Sequence, residues 1–222
     1  MIWLDRVTKL YRTPLGQRMV LNDASYHFEP GHNYGILGAN GSGKSTLVRL
    51  ISGAEAPTSG RVVRQANVSF PLGFSGTFNS YLTGRQNAVF VARVYGANVA
   101  RVLEFVWDFA ELGTFFDMPL NTYSSGMRAR FGLGVSLAID FDVYLIDEVT
   151  EVGDKRFRAK SQAAFRERAL TSDVILVSHN LQTVRAYCDR ALVLQNGELT
   201  PFDSVEDAIA VHVENQKYAS DE

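Results

Sequence analysis

Apolar and polar positions alternate from Val20 to Phe28, with Val20, Asn22, Ala24, Tyr26 and Phe28 on one face, and again from Met1 to Tyr11. A period of two marks a strand with one covered face, so both stretches are predicted strands, Met1 to Tyr11 at a sheet edge. Thr13-Pro14-Leu15-Gly16 separates them as a loop, and Pro30-Gly31 ends the second. Asn33–Leu37, Val174–Ser178 and Asp142–Glu148, the last running into two carboxylates, are apolar runs without alternation, the pattern of strands buried on both faces. A further strand, Ala191–Leu194, precedes the hairpin signal Asn196-Gly197, and two short strands are expected near Arg61–Arg64 and Asn67–Phe70.

Between these runs the period changes to that of helices. Helical spacing covers Leu47–Ile51, Thr83 to Gly96, Asn98–Leu112, the stretch from Ser125 to Ile139, Leu181–Cys188 and Ser204–Glu214. Thr83 is placed as an N-cap, and Asp154 as the N-cap of a charged helix from Lys155 to Leu170. Strands alternating with helices predict an α/β fold with a mainly parallel sheet. Residues 71–139 carry helical patterns only, so the chain reads as one domain over 1–222, with a core of 1–70 and 140–222 and a helical lobe of 71–139.

One junction carries chemistry. Gly38-Ala39-Asn40-Gly41-Ser42-Gly43-Lys44-Ser45-Thr46 reads G-x-x-x-x-G-K-S, between a predicted strand and a predicted helix. Glycines let the loop turn several N–H groups inward, and the helix N-terminus adds partial positive charge, so the loop is a phosphate cradle. Lys44 is expected on the β- and γ-phosphates and Ser45 on Mg²⁺, making ATP and Mg²⁺ the expected cofactors. The second signal is the apolar run ending in Asp147-Glu148, about 100 residues further on. Asp147 at the C-terminal end of a core strand suits Mg²⁺, and Glu148 beside it suits polarisation of the attacking water. His179 follows the next core strand, which is expected beside the Asp147 strand, placing its imidazole near the γ-phosphate.

Composition narrows the setting. Net charge is -2 over 222 residues, which points away from nucleic acid as a bulk partner. The basic cluster Lys155, Arg156, Arg158 and Lys160 reads as a solvated helix face among nearby carboxylates. Cys188 stands alone, so no internal disulfide forms. No apolar run reaches the 18 or so residues a membrane span needs, and Met1–Asp5 has no basic stretch of a signal peptide. The expectation is a cytosolic protein whose membrane role runs through a partner.

These motifs resemble those of ABC-transporter ATPase subunits. Tyr123-Ser124-Ser125-Gly126-Met127 is similar to the family's L-S-G-G-Q signature at Ser124 and Gly126, and departs from it at Tyr123, Ser125 and Met127. The resemblance implies the ABC ATPase fold: a P-loop NTPase core, an N-terminal antiparallel β subdomain and an inserted α-helical lobe. It also implies a head-to-tail homodimer, in which Ser124 and Gly126 bind the γ-phosphate held by the other chain. Tyr11 resembles the aromatic residue that stacks on adenine, Asp154 the aspartate of the loop after the acidic pair, and His179 the switch histidine. The cofactor-binding set is then Tyr11, Gly38, Asn40, Gly41, Gly43, Lys44, Ser45, Thr46, Ser124, Gly126 and Asp154; Ser45 and Asp147 hold the metal, and Glu148 and His179 are catalytic. The family's loop glutamine has no counterpart in Phe70–Phe78, which is also the candidate contact with an integral-membrane permease.

Pro71–Gly76, Leu82–Arg85, Tyr123–Arg130 and Asp147–Asp154 look like the branch that exports capsular polysaccharide across the inner membrane. The O-antigen exporters that recognise their glycan carry an added domain, which this sequence does not show. The glycan is not expected to bind this subunit, whose place is the cytoplasmic face of the membrane. A motor for O-antigen, teichoic-acid-type or other cargo stays open, since the ATPase core does not name its cargo. An ABC ATPase acting on DNA or ribosomes, and a nucleotide-binding regulator without turnover, are the other classes. The first lacks its coiled-coil insertion or second ATPase unit here, and the second sits poorly with Glu148 and His179 both present.

Overall fold

The computed structural model describes residues 1–14, 16–71, 78–147 and 154–218. In chain order the strands and helices are β1 (Ile2–Thr13), β2 (Gly16–Phe28), β3 (Tyr34–Leu37), α1 (Lys44–Ser52), β4 (Ser59–Arg64), α2 (Gly84–Val94), α3 (Val99–Ala110), α4 (Ser125–Leu137), β5 (Val143–Asp147), α5 (Lys155–Ala169), β6 (Asp173–Val177), α6 (Leu181–Tyr187), β7 (Arg190–Gln195), β8 (Glu198–Phe202) and α7 (Val205–Tyr218). They form two units, one of residues 1–71, 142–148 and 172–222, the other of residues 72–141 and 149–171.

In the first unit β1 pairs antiparallel with β2 on one side and β4 on the other, giving the order β2-β1-β4. The expected edge strand is therefore the central one. Alternation reports that one face is covered; it carries no information about what pairs along either side of the strand. The second sheet has the order β5-β6-β3-β7-β8, parallel through β7 and antiparallel at β8. All four residues of β3 are buried, as a central parallel strand requires. Ile2, Leu4 and Val7 of β1 share one core with Leu47, Val48, Leu50 and Ile51 of α1 and with Ile36, Leu145 and Ile175 of the parallel sheet. The expected strand at Asn67–Phe70 is reduced to a single bridge from Val68 to Val143, with Ser69 N–H donating to Val143 O at 2.9 Å.

The second unit holds α2, α3, α4 and α5, with short 3-10 turns at Gly113–Asp117 and Leu120–Thr122. Phe131 meets Phe78 at 5.0 Å and Tyr123 at 6.2 Å between ring centroids, and Gly134 admits the Phe109 ring close to α4. Helix α5 clusters here, not with the core as the sequence division had it. Its Phe157 ring meets Phe109 at 5.4 Å, Lys160 pairs with Glu111 at 3.0 Å, and Arg168 donates to Leu137 O. The basic cluster is thus partly spent on ion pairs within the unit, since Arg156 also reaches Glu111 at 3.5 Å.

Candidate nucleotide site

Strand register assembles the site. β3, β5 and β6 are parallel, so their C-terminal ends lie on one side of the sheet. Ile36 and Asp147 are each paired with Val177, two residues before His179. The loop after β3, the carboxylate ending β5 and the imidazole after β6 therefore converge, as ligand-binding residues of open α/β sheets do. Asn40, Gly41, Gly43, Lys44, Ser45, Thr46, Asp147 and His179 line one cavity of about 530 Å³, together with Tyr11, Thr13, Arg18 and Val20 from the β1–β2 hairpin.

Gly43 has φ 110, and a Cβ there would lie 2.2 Å from Val20 Cγ1, so this loop can pass beneath β2 only with a glycine. Helix α1 begins at the next residue. It has no side-chain cap and no acidic residue in its first turn, so its N-terminal N–H groups are left for an anion. Lys44 is buried, and its Nζ donates to Gly38 O at 2.7 Å and to Ala39 O at 2.9 Å. Burial pulls its ammonium below the usual lysine value, and the Asp147 carboxylate acts against that shift. Gly38 borders a neighbouring cavity of about 350 Å³, lined also by Asn40 and Gly41.

Hydroxyl and carboxylate are hard oxygen donors, and Ser45 and Asp147 face the same cavity, so the pair fits Mg²⁺. Among the described residues no group of three or more His, Cys, Asp or Glu is placed to hold a metal. Mg²⁺ takes one or two protein ligands and completes its shell with phosphate oxygens and water.

Other expected site residues fall elsewhere. Glu148 and the segment 149–153 lie outside the described residues, as do residues 72–77 of the loop that lacks the glutamine. Ser124, Gly126 and Asp154 belong to the second unit. Ser124 caps α4, accepting from Met127 N–H at 3.2 Å. Asp154 caps α5, accepting from Phe157 N–H at 2.9 Å, and pairs with Arg130 at 3.2 Å. The Phe157 N–H bond, with the nearby arginines, holds its carboxyl below the usual range. Gly126 sits in the first turn of α4, where a Cβ would meet only Ser124 Oγ at 4.0 Å. A helical glycine costs about 1 kcal/mol relative to alanine, and no packing among the described residues asks for it.

Several residues of the site were not legible in the sequence. Arg18 pairs with Tyr11 across the hairpin and donates to Gly41 O at 2.6 Å. Tyr11 itself is tied by its hydroxyl to Glu55, whose carboxyl burial would raise but which hydrogen bonds from Lys9, Tyr11 and Arg49 bring down to about 2. His212 of α7 is buried beside the neighbouring cavity, its pKa lowered by burial and by Lys44 and His179. Only a cross-strand register or a tertiary contact could have pointed to them.

Residues 21–151 match the family described as ABC transporter. The chain is 46% identical over 198 residues to the polysialic acid transport ATP-binding protein KpsT of Escherichia coli, covering 88% of each. It is also 46% identical over 208 residues to the capsule polysaccharide export ATP-binding protein CtrD of Neisseria meningitidis serogroup B, covering 94% of this chain and 96% of that one. Its fold is similar to the dimeric structure of a post-hydrolysis ATP-binding cassette bound to ADP and Pi, with TM-score 0.74 at 22% identity over 90% of this chain and 96% of that one.

Proposed function

From the premise that this chain belongs to the ABC transporter family, we propose that it is the ATP-hydrolysing motor subunit of an exporter of capsular polysaccharide. The observation that carries the ATPase reading is one cavity joining Lys44, Ser45, Asp147 and His179 beneath an uncapped helix N-terminus. The cargo reading rests on polysaccharide-export relatives matched over nearly their whole length.

In this reading the Lys44 ammonium exchanges its loop carbonyls for the β- and γ-phosphates, and the first N–H groups of α1 take phosphate oxygens. Tyr11 offers its ring to the base. Ser45 and Asp147 hold Mg²⁺, which when bound neutralises phosphate charge. Glu148 accepts a proton from the attacking water, and His179 orients that water and the γ-phosphate. Ser124 and Gly126 act on the nucleotide of a second copy, with Asp154 in the loop between the two. Among the described residues no helix is long and apolar enough to cross a membrane. The place of work is the cytoplasmic face of the inner membrane, against permease subunits.

The test replaces Glu148 by Gln, in the purified chain and in the cell. ATP binding stays, turnover falls roughly 10²–10⁴-fold, and polysaccharide leaves the cell surface and accumulates inside. Normal turnover removes Glu148 from the mechanism. Lost turnover with an unchanged surface keeps the ATPase and discards the cargo.

A further inference from the structure

We propose that Glu55 is a positioning residue for the base end of the nucleotide site, holding the Tyr11 phenol so that one face of its ring is presented to the cavity. The inference rests on the nucleotide reading above and goes beyond it to a residue that belongs to none of the motifs.

The phenol is held on both of its hydrogen-bonding functions. Its O–H donates to Glu55 Oε1 at 2.7 Å and Oε2 at 2.8 Å, and its oxygen accepts from Arg49 Nη2 at 3.3 Å. Glu55 is fixed in turn by Lys9 Nζ at 2.8 Å and Arg49 Nε at 3.0 Å. Lys9 also donates to Ala56 O at 2.8 Å and stands 5.1 Å from the Tyr11 ring centroid. One ring face is thus covered by a cation, while Tyr11 lines the cavity wall near Ser45 and Thr46. The phenol oxygen lies 3.4 Å from Thr46 Oγ1, and Arg49 donates to that hydroxyl at 3.1 Å, so ring and phosphate loop are braced by the same helix.

A tyrosine free to rotate loses that freedom when a base stacks on it. A ring already held loses little, and preorganising one side chain is worth about three- to tenfold in affinity. The network therefore acts on the part of the ligand that carries the base and leaves the phosphates alone. A merely structural role, fastening β1 to the segment around Ala56, makes no such distinction.

The experiment titrates the full chain calorimetrically with MgATP and with magnesium tripolyphosphate, which has phosphates and no base. Glu55→Gln and Tyr11→Phe each weaken ATP about three- to tenfold and leave tripolyphosphate unchanged, and the double variant is no weaker than either single one. Tyr11→Phe keeps the Lys9–Glu55–Arg49 cluster, so it decides the matter even where Glu55→Gln fails to fold. Equal weakening of both ligands by Glu55→Gln, with Tyr11→Phe neutral, overturns the proposal in favour of fastening. Additive losses overturn it too. Failure of the nucleotide reading itself looks different: Lys44→Ala and Tyr11→Ala then both leave ATP binding intact.

Discussion

Tyr123 stands where the resembled signature has leucine, and the second unit supplies the reason. It is buried, its hydroxyl donates to Phe115 O at 2.7 Å, and desolvation raises its pKa to about 12. A Cβ on Gly84 would lie 2.4 Å from that hydroxyl and 3.0 Å from Phe116 O. Tyr123 and Gly84 are one fitted pair from two separate motifs, a relation no sequence pattern states. Gly84→Ala gains up to about 1 kcal/mol of helix propensity but overpacks a closed site at a cost of roughly 1–3 kcal/mol, so the clash wins. Chemical denaturation should show a net loss of stability, and Tyr123→Phe should cost less in the Gly84→Ala background than alone, because it removes the colliding oxygen. Strict additivity would show that the two sites do not meet. By contrast the convergence of Lys44, Ser45, Asp147 and His179 on one cavity was legible, because each follows a core strand at a fixed place in the chain. Arg18 and Glu55 were not, because their place depends on a hairpin register and on the turn after α1.

At the level of elements, local signals held wherever the signal was itself the interaction. Thr83 was placed as a cap, and its side chain accepts from Gln86 N–H at 3.1 Å while Gln86 Oε1 accepts from Thr83 N–H at 2.9 Å. Thr83→Ala should cost about 1 kcal/mol and lower the melting temperature, with ATP affinity unchanged; a drop in affinity would tie this cap to the nucleotide site. Where an element's identity depends on distant partners, the pattern was silent. The period-two run of β1 is the same for a central strand as for an edge. The stretch at Asn67–Phe70 finds only one bridge to β5. α5 is sequentially wedged between two core strands, but Phe157, Lys160 and Arg168 bind it to α3 and α4.

For the whole molecule, the unexplained glycine is the strongest pointer to a second copy. Gly126 weakens α4 without relieving any contact among the described residues of its own chain. Ser124 and Ser125 beside it are exposed at the same helix N-terminus, a place suited to an anion brought from outside. If each complete site takes Lys44 from one chain and Ser124 with Gly126 from the other, two dead variants should rescue one another. Lys44→Ala spoils the loop of its own site, and Ser124→Arg spoils the site on its partner. In a mixed dimer one site carries both lesions and the other carries neither. Random mixing of equal amounts gives mixed dimers half of the time, so about a quarter of all sites are intact. Hydrolysis in the mixture should then rise toward about a quarter of the unmodified rate, where each variant alone has almost none. Mixing that yields a dimer, by sedimentation, but no ATPase would place Ser124 in the site of its own chain, or make one intact site insufficient for turnover. Retention of radiolabelled ATP by the mixed dimer separates the two, since a site completed across the dimer still traps one nucleotide.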